Sequence, residues 1–233
     1  MKNLKRWIRG ASAGSVFACL ALAAAPGATA AVVYNNGGPN QAGANNLGFL
    51  LQADDFGLGV QTTITDVHFW SLEAPGAYRG GIFWALAANA GGSPGAFVAS
   101  GFQNVVTRGA TGANALGFAE FQNEFLISPT VLAPGTYWLV LHNGPRANNG
   151  DPSDFYWETT ANNGTIRGRE SSNDGASWST NFNEHAFFLT GNGLNVVPEP
   201  ATALLLAIGL AGLLGTRRKG ARKNTEQTTS RAI

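Results

Sequence analysis

Between residues 31 and 195, short apolar runs alternate with clusters of turn-forming residues. The runs are rich in Phe, Trp, Tyr, Val, Ile and Thr, which suit the pleated, half-buried surface of a sheet. They predict strands at 62–70, 79–87, 97–106, 116–125, 136–142, 155–160, 166–170 and 186–190. Turn clusters at 91–95, 133–135, 143–145 and 173–175 separate them. Since no helical period spans three turns and no fixed-length repeat occurs, the pattern predicts an all-β domain over residues 31–195, an antiparallel β-sandwich of jelly-roll type.

The N-terminus has the pattern of a secretory signal peptide. A short cationic region is followed by an apolar run at about 11–25, by the helix breakers Pro26 and Gly27, and by Ala28-Thr29-Ala30. Signal peptidase requires small residues at the first and third positions of such a triplet, here Ala28 and Ala30. We expect residues 1–30 to be removed by a cut after Ala30. The alternative is a retained signal anchor, for which the apolar run is short.

The C-terminus carries a second apolar run, at about residues 201–215, which predicts a single transmembrane helix. Fifteen helical residues span about 22 Å, less than the roughly 30 Å of a hydrocarbon core, so length alone also allows a buried helix. The run has no polar face, and it follows Val197, Pro198, Glu199 and Pro200. It ends in Arg217, Arg218 and Lys219, a membrane-orienting basic cluster that stays cytoplasmic by the positive-inside rule.

A Pro-Glu-Pro triplet, a short apolar helix and a basic end, in this order, resemble the PEP-CTERM sorting signal, here at residues 196–219. The same region is sometimes labelled an ice-binding-protein C-terminal domain. The resemblance implies an exosortase as partner and Pro198, Glu199 and Pro200, with Val197 at their edge, as the sorting and processing motif. The polar tail at 220–233 departs from the family pattern, and we expect it to be cytoplasmic. A plain single-pass anchor is the alternative.

The central region also resembles a β-sandwich domain of secreted bacterial proteins. The similar phrases are at 64–70, 92–95, 132–139 and 186–191, and the third includes Pro134, Gly135, Thr136, Tyr137 and Trp138. This likeness implies a fold and no particular activity.

Charge and cysteine content exclude several classes of partner. Residues 31–215 hold thirteen acidic residues against five arginines and no lysine, a net charge of −8. An acidic body repels nucleic acid, so no nucleic-acid partner is expected. The single cysteine, Cys19, lies in the predicted signal peptide, and Phe17 stands where lipidation would need a small residue. The mature chain would then have no disulfide and no zinc–thiolate site.

No constellation of catalytic or metal-binding residues is evident in the sequence. His68, His142 and His185 are scattered, and neither a GxSxG elbow nor an HExxH motif occurs. Asp54 and Asp55 are neighbours, so in a strand they should point to opposite faces, which argues against a carboxylate pair. The acids Asp151 and Asp154 could offer oxygens to calcium, but solvated turn acids fit the loop better. Residues 172–178 approach the Asp-box of β-hairpins, a structural motif. We predict no catalytic residue, no metal and no cofactor.

The tryptophans offer the one hint of a ligand. Exposed aromatic rings can stack on sugars, and Trp157 and Trp178 lie in polar, Gly-rich surroundings that predict surface positions. We therefore expect an exported, non-enzymatic protein that passes through the inner membrane, meets signal peptidase and exosortase, and ends at the cell surface or in the extracellular matrix. The alternative is a carbohydrate-binding module for exopolysaccharide. A glycoside hydrolase or lyase is a third hypothesis, and it needs two convergent acids.

Overall fold

The computed structural model describes residues 30–148 and 150–193, and this part of the chain is built from strands. They are β1 (Ala31–Gly37), β2 (Ala44–Asn46), β3 (Leu51–Leu58), β4 (Thr62–Glu73), β5 (Ile82–Asn89), β6 (Pro94–Gln103), β7 (Thr107–Ala115), β8 (Phe118–Leu132), β9 (Gly135–Asn143), β10 (Phe155–Glu158), β11 (Arg169–Ser171), β12 (Ser179–Thr180) and β13 (Phe187–Gly193). A single turn of 3₁₀-helix, Arg146–Asn148, follows β9. The prediction of an all-β domain is confirmed.

The strands form two antiparallel sheets. In the first sheet β4 pairs with β8 along one edge, and β8 pairs with β7. Along its other edge β4 pairs first with β13 and then with β10. β1 pairs with the outer edge of β13, and β2 pairs with the outer edge of β10. The second sheet has the order β12-β11-β3-β9-β5-β6. Two antiparallel sheets confirm the predicted β-sandwich.

The strand order is that of a jelly roll. When β1, β3, β4, β5, β6, β8, β9 and β13 are numbered 1 to 8 in chain order, the sheets run 1-8-3-6 and 2-7-4-5. This is the order that two interleaved Greek keys produce. The remaining strands extend the two sheets at their edges.

The main core lies between the sheets and follows from alternation along each strand. Inward-facing residues such as Phe56, Val67, Phe69 and Leu139 pack there. A second, smaller cluster covers the outer face of the second sheet, and its buried members are Leu51, Ala53, Phe83, Ala85, Ala87, Trp138 and Val140. Ile166 and Trp178 pack over this cluster from the chain segment around β11 and β12. Residues on both faces of β3 are therefore buried.

Both predicted targeting segments fall largely outside the described residues. Residues 1–29 with Cys19 and Ala28, and residues 194–233 with the sorting motif, the apolar run at 201–215 and the basic cluster at 217–219, are not described. Within the described ranges, no helix has the length and apolarity that a membrane crossing requires. Ala30 is described and exposed, and β1 begins at Ala31. A cut after Ala30 would leave every described strand complete.

Candidate functional site: the Trp178 cleft and two groups of buried carboxyls

Trp157 is not a surface residue, and this prediction was wrong. Its side chain is fully buried in the main core, where it packs edge-on against Phe69 and Phe187. Its indole Nε1 donates a hydrogen bond to the carbonyl oxygen of Ala186 at 3.0 Å. The prediction failed because the polar residues next to Trp157 are themselves buried and hydrogen-bonded. Glu158, for example, accepts a hydrogen bond from the Gln41 amide at 3.0 Å.

Trp178 does lie at the surface, beside a shallow cleft of about 410 Å³ on the outer side of the second sheet. The ring packs over the second apolar cluster and stays partly exposed. Phe182 stands at the same cleft with 73% of its surface exposed, on a backbone with a positive φ of 63°. The lining residues, here called the Trp178 cleft, are Ser93, Arg167, Arg169, Trp178, Thr180 and Phe182.

Two arginines of this cleft are held by carbonyl groups. Arg169 donates from Nε and Nη2 to the Gly92 oxygen at 3.0 and 2.7 Å, and from Nη1 to the Arg167 oxygen at 3.1 Å. Arg167 donates to the Phe182 oxygen at 3.3 Å. The ion pairs of the described ranges use the other three arginines, Arg79, Arg108 and Arg146, and neither cleft arginine is in one. The cleft therefore combines two positive charges with two accessible aromatic rings.

Two histidines, His142 and His68, have structural surroundings. His142 is buried, and its ring nitrogens lie 3.3 Å from the Gly144 oxygen and 3.2 Å from the Gly48 oxygen. His68 stacks on Phe188 with ring centroids 4.0 Å apart. Burial lowers the pKa of both rings, although nearby carbonyls or carboxylates act in the opposite direction.

The prediction that Asp54 and Asp55 cannot act together needs correction. One oxygen of each lies within 4.8 Å of the other and of a Glu184 oxygen, and all three residues, here called the carboxylate trio, are buried. β3 does alternate, but β11 pairs with it only from Leu51 to Ala53. Among the described residues no strand pairs with the next stretch of this edge, so carboxyl groups from both faces can meet there.

Hydrogen bonds within the trio are unevenly distributed. Asp54 Oδ2 accepts from the His185 amide at 2.5 Å, from His185 Nδ1 at 3.1 Å and from Asn36 Nδ2 at 3.3 Å, while Oδ1 accepts from the Asp55 amide at 2.9 Å. Glu184 Oε2 lies 3.1 Å from the Thr165 hydroxyl. Asp55 Oδ1 and Glu184 Oε1 are buried without a hydrogen-bond partner among the described residues.

The trio is electrostatically costly. Burial raises the pKa of Asp54 well above its usual range, against the effect of the His185 amide. Burial also raises the pKa of Asp55, and burial together with the charge of Asp54 raises the pKa of Glu184 to about 7. Complete burial lowers the pKa of His185 to about 3, so its ring stays neutral beside Asp54.

A second buried pair of carboxyls, Glu120 and Glu158, lies on the face of the first sheet that points away from the main core. Glu120 is paired with Leu72 of β4, and Glu158 lies two residues beyond Tyr156, which also pairs with Leu72. Burial and the neighbouring carboxyl of Glu120 raise the pKa of Glu158 to about 7. Sequence spacing gave no signal for either group, since their members come from distant strands.

The remaining acidic candidates serve structural roles. Asp151 accepts two hydrogen bonds from Arg79, at 2.6 and 2.9 Å, so its oxygens are already engaged. Asp154 is exposed and accepts from the Tyr156 hydroxyl at 2.8 Å. In the hairpin between β11 and β12, Asn173 Oδ1 accepts from the Ser177 amide and Asp174 pairs with Arg146. Asp66, His68 and Glu124 form another cluster, in which the Glu124 side chain is 53% exposed.

Comparison with known proteins identifies the C-terminal segment. A family model described as the PEP-CTERM protein-sorting motif matches residues 196–219. The match includes the Pro-Glu-Pro triplet at 198–200 and the basic residues at 217–219. No curated protein matches the chain. The chain therefore carries a PEP-CTERM protein-sorting motif at its residues 196–219.

Proposed function

We propose that this protein is a non-catalytic component of the cell surface or extracellular matrix, delivered by a signal peptide and released through an exosortase. The PEP-CTERM motif carries this proposal, because it marks an exported protein that is anchored in the membrane transiently and processed by an exosortase. The jelly-roll domain is the part that is delivered.

The environment of the acidic groups supports a non-catalytic role for the domain. A glycosidase needs two carboxyls that flank a sugar, about 5 to 9.5 Å apart, and that touch the substrate. Glu120 and Glu158 are neighbours in the folded domain and are 3% and 0% exposed, so no sugar reaches them. The trio is equally closed to a substrate, with Asp54 completely buried.

Replacing Pro198, Glu199 and Pro200 by alanine tests the proposed route. The variant is expected to accumulate in the inner membrane as an unprocessed precursor, because the exosortase no longer recognises its tail. Replacing Glu226, Gln227 and Thr228 by alanine, outside the matched segment, is the control and should leave release unchanged. Normal release and an unchanged mass of the triplet variant would refute the proposal.

The Trp178 cleft favours a second candidate function, binding of an acidic polysaccharide such as one built from uronic acids. Aromatic rings stack on sugar faces, and Arg167 and Arg169 supply positive charge that matches carboxylate groups. These guanidinium groups stand in a domain that is otherwise strongly acidic. Within the cleft this local positive charge favours an acidic glycan, although the net negative charge of the domain opposes it.

Retention of the protein on polygalacturonate or alginate gels tests this candidate. Trp178→Ala and Phe182→Ala should each weaken binding about threefold to tenfold, the contribution of one aromatic contact. Phe102→Ala removes another exposed aromatic ring, 47% exposed and outside the cleft, and should bind as the native protein does. Retention should also fall with rising salt. Equal binding by all variants would exclude the cleft as the site.

A further inference from the structure

We propose that the carboxylate trio of Asp54, Asp55 and Glu184 binds a divalent cation with oxygen ligands, and that this cation is calcium. The three carboxyl groups come from two distant parts of the chain, β3 and the residue pair that precedes β13. Their oxygens nevertheless converge to within 4.8 Å. The cation would join these two segments at one point.

The convergence of three buried carboxyl groups is costly, and each of them must either hold a proton or meet a positive charge. Asp54, Asp55 and Glu184 are 0%, 4% and 1% exposed, and buried carboxylates are costly unless they are paired. No arginine forms an ion pair with them among the described residues, although the charges of Arg167 and Arg169 act on them from a greater distance. A divalent cation would supply the missing charge.

The free oxygen atoms point to the same conclusion. Asp55 Oδ1 and Glu184 Oε1 are buried without a hydrogen-bond donor in the described ranges. Such orphaned acceptors are rare in folded proteins and need a partner. Asp54 Oδ2 receives its three hydrogen bonds from His185 and Asn36, which fix the orientation of this carboxyl. Three adjacent carboxyl groups, one of them fixed in orientation and two with an oxygen that accepts no hydrogen bond, are suited to ligate an ion.

The dimensions and donor types favour calcium. Calcium takes six to eight oxygen ligands at about 2.3–2.6 Å, so ligands on opposite sides are about 5 Å apart. The oxygens of the trio are close enough together for one such ion to contact all three carboxyl groups. The nitrogens of His185 lie 3.1 Å from Asp54 Oδ2 and 3.1 Å from Asn45 Oδ1, and the described residues contain no cysteine. A site of oxygens alone does not favour zinc or copper.

The segment at residues 161–165 adjoins the trio. Residues 161–165 are exposed, and the Thr165 hydroxyl lies 2.7 Å from Asn163 Oδ1 as well as 3.1 Å from Glu184 Oε2. Asn163 also donates to Asn36 Oδ1 at 2.5 Å. This segment brings the Thr165 hydroxyl, a further oxygen, next to the trio.

Calcium binding to the full chain, purified in detergent, tests the proposal by isothermal titration calorimetry and by thermal unfolding. The native protein should bind one calcium ion with a Kd of about 10⁻⁴–10⁻³ M, typical of extracellular modules, and its Tm should rise with calcium. Asp55→Asn and Glu184→Gln should each weaken binding at least about tenfold. Because each removes buried charge without removing a hydrogen bond, both variants should fold and should melt higher than native protein in EDTA.

Glu158→Gln is the matched control, because it neutralises a buried carboxyl outside the trio and should leave calcium binding unchanged. The proposal is overturned if the native protein neither binds calcium nor gains Tm at millimolar concentration. It is equally overturned if Asp55→Asn and Glu184→Gln bind as tightly as native protein, or if Glu158→Gln loses binding to the same extent.

Discussion

At the scale of single residues, the pair formed by Glu120 and Glu158 should make the stability of the domain depend on pH. The folded state raises the pKa of Glu158 from 4.5 to about 7, through burial and through the facing Glu120. Between these two values the folded chain holds a proton that the unfolded chain releases. The free energy of unfolding should therefore be highest at acidic pH and should fall as pH rises from about 4.5 to about 7.

Glu158→Gln should remove part of this dependence, because an amide does not ionise. We expect the variant to be more stable than native protein by about 1–2 kcal/mol at pH 8 and to differ little at pH 4. Urea unfolding across this range measures both effects. Glu124→Gln, at a side chain 53% exposed, should keep the native pH profile; a matching loss of slope there would contradict the assignment to Glu158.

The two surface tryptophans that the sequence suggests should differ strongly when replaced by alanine. Trp157→Ala opens a cavity in the main core and removes one of the hydrogen bonds to the Ala186 carbonyl, so it should cost about 3–5 kcal/mol of unfolding free energy. Trp178→Ala removes a partly exposed ring and should cost much less. Thermal or chemical unfolding compares them, and a small effect at Trp157 would refute its placement in the core.

At the scale of strands, the pairing of β13 with β4 contains an irregularity at Thr190 and Gly191. A Cβ on Gly191 would lie 1.9 Å from the Thr63 oxygen, so a side chain here forces the two strands apart. Gly191→Ala should therefore cost at least about 1–3 kcal/mol, as overpacking does in a dense core.

Gly57→Ala, in β3, is the matched control for this prediction. Its Cβ would meet nothing within 4 Å, and alanine is favoured over glycine inside a strand. The control should be neutral or slightly stabilising in the same unfolding experiment. Similar losses at Gly57 and Gly191 would mean that the close approach of β13 and β4 is not the cause.

The residue pattern of each strand explains which strands the sequence could predict. The predictions at 62–70 and 136–142 fall inside β4 and β9, whose apolar and β-branched residues strongly favour a strand over a helix or loop. β3 was missed because Asp54 and Asp55 interrupt its apolar pattern, although both are buried through tertiary contacts. β1 and β7 were also missed; β7, with the sequence TRGATGANA, is mostly exposed and has no apolar period.

The candidate sites were predictable only where local sequence decides the environment. Polar neighbours placed Trp178 at the surface correctly, because the hairpin around it is exposed. The same signal failed for Trp157, where Glu158 and Thr159 are polar but buried. Glu184 lies about 130 residues from Asp54 in the chain, so only the jelly-roll topology brings them together.

At the scale of the whole molecule, the chain consists of an acidic β-sandwich between two basic, apolar ends. The first strand of the domain begins at Ala31, directly after the expected peptidase site. The sorting motif begins a few residues after β13 ends at Gly193. Processing at both ends would thus release the sandwich with all of its described strands.

Mass spectrometry of the protein recovered from the cell surface and the medium tests the central claim most directly. The account predicts a chain that begins at Ala31, ends close to Pro198, Glu199 and Pro200, and lacks the apolar run that follows. Recovery of the intact 24.2 kDa chain, held in the inner membrane with both ends present, would contradict it.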